Sequence, residues 1–82
     1  MDQPDIYAGL TDILREVFDD PSLVARPDMS AKDVPEWDSF NHINIIVAAE
    51  QRFGVKFRTA DIDGVQTVGE FAELIARKTR AA

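Results

Sequence analysis

Three stretches of this chain repeat apolar residues at helical spacing, and none alternates them at the two-residue spacing of a half-buried strand. In the first, Ile6, Leu10, Ile13, Leu14, Val17 and Phe18 share a face, and Pro4 suits an opening turn because its missing N–H needs no partner there. Asp20-Pro21 ends that helix. Pro21, Pro27 and Pro35 then punctuate a long loop to Trp37 that reads as too polar to be a core element. The next helix is expected to begin at Asp38 or Ser39 and to end near Phe53-Gly54, where glycine supplies a left-handed residue. One or two helical turns are expected around Thr59 to Asp63. The last helix carries the stripe Val68, Phe71, Ala72 and Ile75 behind Thr67-x-x-Glu70, a capping box in which each side chain satisfies an unpaired backbone N–H. The pattern predicts an all-α fold: a small four-helix bundle of three main helices and one short one, with a long loop after the first.

The 82 residues have room for one domain, residues 1–82, with one modest core. A 45% hydrophobic and 29% charged composition predicts a soluble globule. No apolar run approaches the roughly 20 residues that cross a bilayer, and the acidic start MDQPDIYAGL lacks the basic region of a secretory signal, which predicts a cytoplasmic protein with no membrane partner. Without cysteine there is no disulfide or thiolate metal site, and His42 alone cannot build a zinc site of the usual kind. A net charge of -6 is the opposite of a nucleic-acid footprint. Acids crowd the start, where Asp2, Asp5, Asp12, Glu16, Asp19 and Asp20 meet only Arg15, a field that favours partners with basic patches.

Four constellations bear on chemistry. Thr59, Asp61, Asp63, Gly64 and Glu70 fall at the spacing of a calcium loop, but the first ligand position holds Thr59 and Gly54 interrupts the helix that ought to lead in, so a turn and a capped helix account for the same residues. Asp38, Ser39 and His42 lie within one helical turn, as a compressed hydrolytic triad would, yet no oxyanion loop or nucleophile elbow accompanies them, and His42 reads as a ring at the edge of the apolar stripe. The helix from Phe40 to Phe53 is apolar over more than half its circumference, through Phe40, Ile43, Ile45, Ile46, Val47, Ala49 and Phe53, which predicts the centre of the bundle. Ser39 sits in a first helical turn, where free N–H groups and the helix dipole favour phosphate. Because Asp and Ser are also the commonest caps, the residues alone leave a plain cap and a modified serine both open.

The stretch WDSFNHINIIVAAEQRFGVKF resembles the segment of acyl carrier proteins that bears their Asp-Ser-Leu attachment motif, with Phe40 in place of the leucine. The likeness extends through the amphipathic first helix, the long loop ending in Trp37, the short TADID segment and the TVGEFAELIARK finish, in the right order. It implies a carrier and not an enzyme. A phosphopantetheinyl transferase would move 4'-phosphopantetheine from coenzyme A onto Ser39, with Asp38 as cap and recognition residue. The terminal thiol of that arm would hold acyl groups as thioesters, which fits a chain with no cysteine of its own. The implied partners are acyl-transferring or acyl-activating synthases and ligases of fatty acid, polyketide or a specialised acyl pathway, met by a monomer through Phe40, Asn41, Asn44 and Glu50. Asn41 and Asn44 stand where many fatty-acid carriers have acids, which points to a dedicated partner. The alternatives are an unmodified helical adaptor or a peptidyl- or aryl-type carrier with its own ligase.

Overall fold

A computed structural model describes residues 3–81 of the protein. Asp2, one of the early acids, lies outside the described residues. The elements are α1 (Gln3–Val17), α2 (Ser39–Phe53), α3 (Thr59–Asp63) and α4 (Val68–Ala81), with no strand among the described residues. This is the four-helix architecture that the periodicity predicts.

Helix α1 occupies the centre. Ile6, Leu10, Ile13 and Leu14 are each at most 4% exposed, and α1 packs against both α2 and α4. Here the pattern misleads, because the broad apolar arc of α2 predicts that α2 is central. In fact α2 buries Ile45, Ile46 and Ala49, while Phe40, Ile43 and Val47 are 73%, 59% and 44% exposed. Apolar character along an arc does not say whether protein or solvent lies opposite each residue.

The long loop is also more than a polar spacer. Ala25, Met29 and Val34 are buried in the core, and the chain around them is fastened to helices at both ends. Thr11 Oγ1 accepts from the Ala25 N–H at 2.9 Å, and Arg15 Nε donates to the Leu23 carbonyl at 2.7 Å. On the far side the N–H groups of Val68 and Gly69 donate to the carbonyls of Met29 and Pro27, at 2.8 and 3.0 Å. Each bond satisfies an N–H that the first turn of α4 cannot pair internally. Gly69 permits the approach, since a Cβ there would lie 2.8 Å from Pro27 O and 3.2 Å from Pro27 Cα. Backbone on the opposing side cannot swing away as a side chain would. Gly69→Val is therefore expected to destabilise the fold by about 1–3 kcal/mol, the usual cost of overpacking, and a thermal melt reads it directly. A melting temperature equal to the parent's would mean that this contact is loose.

The ends of α2 and the start of α4 follow the sequence closely, whereas α1 stops at Val17, ahead of the expected Asp20-Pro21 break, where Asp19 takes a left-handed φ of 50°. Gly54 closes α2 with φ 66° and ψ 38°, and its N–H reaches Glu50 O. Thr67 and Glu70 form the expected capping box: Glu70 N donates to Thr67 Oγ1 and Thr67 N to Glu70 Oε1, both at 3.2 Å. Val68, Phe71, Ala72 and Ile75 are all buried, as are Leu74 and Ala76. Helix α3 buries no residue fully; it is tied down by Asp61, whose Oδ2 accepts from the Arg58 N–H and from Lys78 Nζ, each at 2.8 Å. Those two bonds, Lys78 first, hold the Asp61 carboxyl below the usual carboxylate range.

Candidate functional site

The site forms where the long loop turns into α2. Asp38 is the N-cap, in extended conformation, and its Oδ1 accepts from the Asn41 N–H at 2.9 Å while its carbonyl accepts from His42 N. Ser39 is consequently the first helical residue, exposed, and not the cap. Its own amide and that of Phe40 have no acceptor among the described residues. A hydroxyl at this position therefore sits beside donors and the positive end of the helix dipole, an environment suited to a phosphate ester.

Trp37 closes one side. Its Nε1–H donates to His42 Nδ1 at 3.2 Å, one turn into α2. A cleft of about 360 Å3 opens beside the pair and is lined by Ala31, Trp37, Asp38, Ser39, His42 and Ile43. The histidine is half-buried at the edge of the apolar face, as the sequence suggests. The triad geometry does not form: the Asp38 carboxylate serves the Asn41 amide, His42 Nδ1 faces the indole, and no hydrogen bond joins Ser39 to His42 among the described residues. The calcium-loop residues are likewise engaged elsewhere, Asp61 with Lys78 and Arg58, and Glu70 in the capping box. Among the described residues no group of three or more His, Asp or Glu side chains could hold a metal.

The candidate partner residues separate. Phe40 projects into solvent next to Ser39. Asn44 is exposed one turn further on, its Nδ2 at 3.5 Å from Asn41 Oδ1. Asn41 is only half-buried but has a structural task, donating through Nδ2 to the Glu36 carbonyl at 2.8 Å and holding the loop end against the helix. Glu50 lies roughly 16 Å along the helix from Ser39, at about 1.5 Å per residue, and its Oε2 accepts the Phe57 N–H at 2.9 Å. That carboxylate organises the connection between α2 and α3. Ile43 and Val47, which pure periodicity assigns to the core, instead extend the exposed apolar line that begins at Phe40.

A small helical bundle presenting an exposed serine on the first turn of an apolar helix defines a carrier-type domain. No family model matches the chain. An acyl carrier protein of Acidothermus cellulolyticus is 32% identical over 82 residues, covering 100% of this chain and 98% of its own length. A meromycolate extension acyl carrier protein of Mycolicibacterium aurum is 37% identical over 76 residues, 92% of this chain and 77% of that one. The solution NMR structure of a holo acyl carrier protein from Geobacter metallireducens superposes with a TM-score of 0.87 at 38% identity, covering 95% of this chain and 88% of its own. The chain belongs to the acyl carrier protein family. It is accordingly a carrier and not a catalyst, of a family whose prosthetic group is covalently attached 4'-phosphopantetheine and whose members work with synthases and transferases. No helix among the described residues is long and apolar enough to cross a membrane.

Proposed function

We propose that Ser39 is the attachment point of the phosphopantetheine arm and that residues 1–82 act as one monomeric carrier domain in the cytoplasm. The observation that carries this reading is the division of labour at the start of α2: Asp38 supplies the capping oxygen, so the exposed Ser39 hydroxyl has no capping duty. In the reaction Ser39 Oγ bonds to the phosphorus that bears the pantetheine of coenzyme A. The pyrophosphate P–O bond breaks, adenosine 3',5'-bisphosphate leaves, and the hydroxyl proton passes to a base on the transferase. The free Ser39 and Phe40 amides would hold the phosphodiester, and an arm at Ser39 would let one small bundle present its cargo at successive active sites. The test is mass measurement after incubation with coenzyme A and a broad-specificity transferase, followed by peptide mapping. One added group on the peptide containing Ser39 is the expected result; no gain would favour the unmodified adaptor.

Phe40, Asn44 and the rest of the exposed α2 face form the proposed partner surface. It carries no Asp, Glu, Lys or Arg from Ser39 to Ala49, so the acids of α1 and the loop must steer basic partners from a distance. Asn44→Asp adds a charge roughly 8 Å along the helix from Ser39, within the Debye length of about 10 Å at 0.1 M salt. Loading of Ser39 by a fatty-acid-type transferase should be faster than in the parent at low salt and should converge with it at high salt. Equal rates at every salt concentration would remove the support for a dedicated partner. Asn41→Asp is the poorer probe, because it also replaces the donor to Glu36 O with an acceptor.

A further inference from the structure

In a chain with fifteen Asp and Glu against nine Lys and Arg, residues 51–60 carry three cations and no acid. Arg52 is committed to Asp12 of α1 at 3.0 Å. Lys56 and Arg58 are exposed, and neither is in an ion pair among the described residues; Asp61, whose carboxylate feels the charge of Arg58, is held by Lys78 at 2.8 Å. Burial alternates along this connection between α2 and α3: Val55 is buried, Phe57 packs on Phe71, and Lys56 and Arg58 face solvent on the other side. Glu50 fixes where the segment sits. At 3.6 residues per turn, Phe40, Ile43, Val47 and Glu50 fall within one arc of roughly 80° on α2, and Glu50 Oε2 accepts the Phe57 N–H at 2.9 Å. The two cations therefore stand at the far end of the exposed apolar line, while the exposed acids Glu36 and Asp38 stand at its start. The helix between them is about 21 Å long, roughly two Debye lengths at 0.1 M salt, so each end presents its own field and the two do not cancel.

We propose that residues 55–58 form a second docking contact, in which Lys56 and Arg58 take an acidic patch on the same partner that seats on α2. The inference rests on the exposed α2 face being the partner surface. That surface then has a direction: acidic beside Ser39, apolar through Phe40, Ile43 and Val47, and basic beyond Glu50. A uniformly acidic helix attracts a basic partner without deciding which way round it docks. Opposite charges at the two ends oppose the reversed dock twice, because like charges then meet at both. The partner implied is a protein surface that carries basic, apolar and acidic groups in that order. Arg58 suits the acidic end, since a guanidinium can take a carboxylate through two parallel bonds, and Lys56 adds a compact charge beside it.

The probe is a synthetic 15-residue helical peptide with lysines at one end, leucines in the middle and an equal number of glutamates at the other end, where it carries a spin label. It has no net charge and spans about 22 Å. Titrated into the 15N-labelled protein, it should shift the amides of Phe40, Ile43 and Val47 together with those of Lys56 and Arg58, with the strongest paramagnetic broadening at residues 55–58. Lys56→Glu combined with Arg58→Glu should weaken binding roughly three- to tenfold at low salt and by less at high salt. Because the peptide is neutral, the carrier's changed net charge does not by itself produce that loss. Lys56→Ala combined with Arg58→Ala should give an intermediate loss, and the amide spectrum of each variant shows that it is folded. Shifts confined to the α2 face, broadening no stronger at residues 55–58 than near Ser39, or an affinity unchanged in both folded variants overturns the second contact alone. No shift on the α2 face overturns the partner surface and the second contact together.

Discussion

Replacing Ser39 with alanine should abolish phosphopantetheinylation completely while leaving the melting temperature at the parental value. Both halves of that result follow from position. The modification needs a hydroxyl at the one place where helix N–H groups, an N-cap carboxylate and an open cleft converge. Stability does not need it, because the capping bond comes from Asp38 and alanine is the best helix former at a position exposed to solvent. The other serines serve as internal controls. Ser22 Oγ donates to Asp20 Oδ1 at 2.6 Å, and Ser30 Oγ accepts the Lys32 N–H at 3.3 Å, both in loop turns with no long helix behind them. Ser22→Ala and Ser30→Ala should accept the arm as the parent does. Intact-mass measurement decides the matter, and a gain that persists in Ser39→Ala would end the assignment.

The second large effect is on stability. Phe71→Ala should cost about 3–5 kcal/mol, the range for emptying a buried aromatic site. Phe71 is 7% exposed and packs against Phe57, the ring centroids 5.4 Å apart and the planes tilted by 51°. Small domains have a total stability of about 5–15 kcal/mol, so the variant should melt tens of degrees lower or fail to fold. Sequence periodicity treats Phe53 as its equal, at the inward end of the α2 stripe. The structure ranks them differently: Phe53 is only partly buried, at the rim, with its Cζ close to Gly9 of α1. Phe53→Ala should accordingly melt well above Phe71→Ala. Equal melting temperatures would mean that the burial of the two rings has been misjudged.

How much was legible in advance differs from element to element. The capped helix ends were readable almost to the residue, because capping chemistry is local: Asp38, Gly54, Thr67 and Glu70 act on backbone groups a few positions away, whereas the uncapped end of α1 comes at Val17, before Asp20-Pro21. The proposed attachment serine was legible through its resemblance to a motif, not through physics alone, since a cap and a modification site share the same residues. Its relation to Asp38 became distinct only when the carboxylate was seen on the Asn41 amide. Asn41, Asn44 and Glu50 are alike partner-facing in what the resemblance implies. The difference lies in which backbone group happens to stand opposite, Glu36 O for Asn41 and Phe57 N for Glu50, both set by loops whose course no local rule specifies.

What the sequence alone determined is what depends on neighbours along the chain: four helices, the capped ends of α2 and α4, and the placement of Ser39 on a first helical turn. Tertiary structure decided which apolar faces meet. It put α1 at the centre, left Phe40, Ile43 and Val47 in solvent, drew Ala25, Met29 and Val34 of the loop into the core, and seated the Pro27 carbonyl against Gly69. It also joined Trp37 to His42, turning a loop residue and a helix residue into one wall of the cleft beside Ser39. The physical reason is that capping and periodicity act through bonds and turns of one segment, whereas burial is a property of the surface opposite, and that surface exists only once separate segments have packed together.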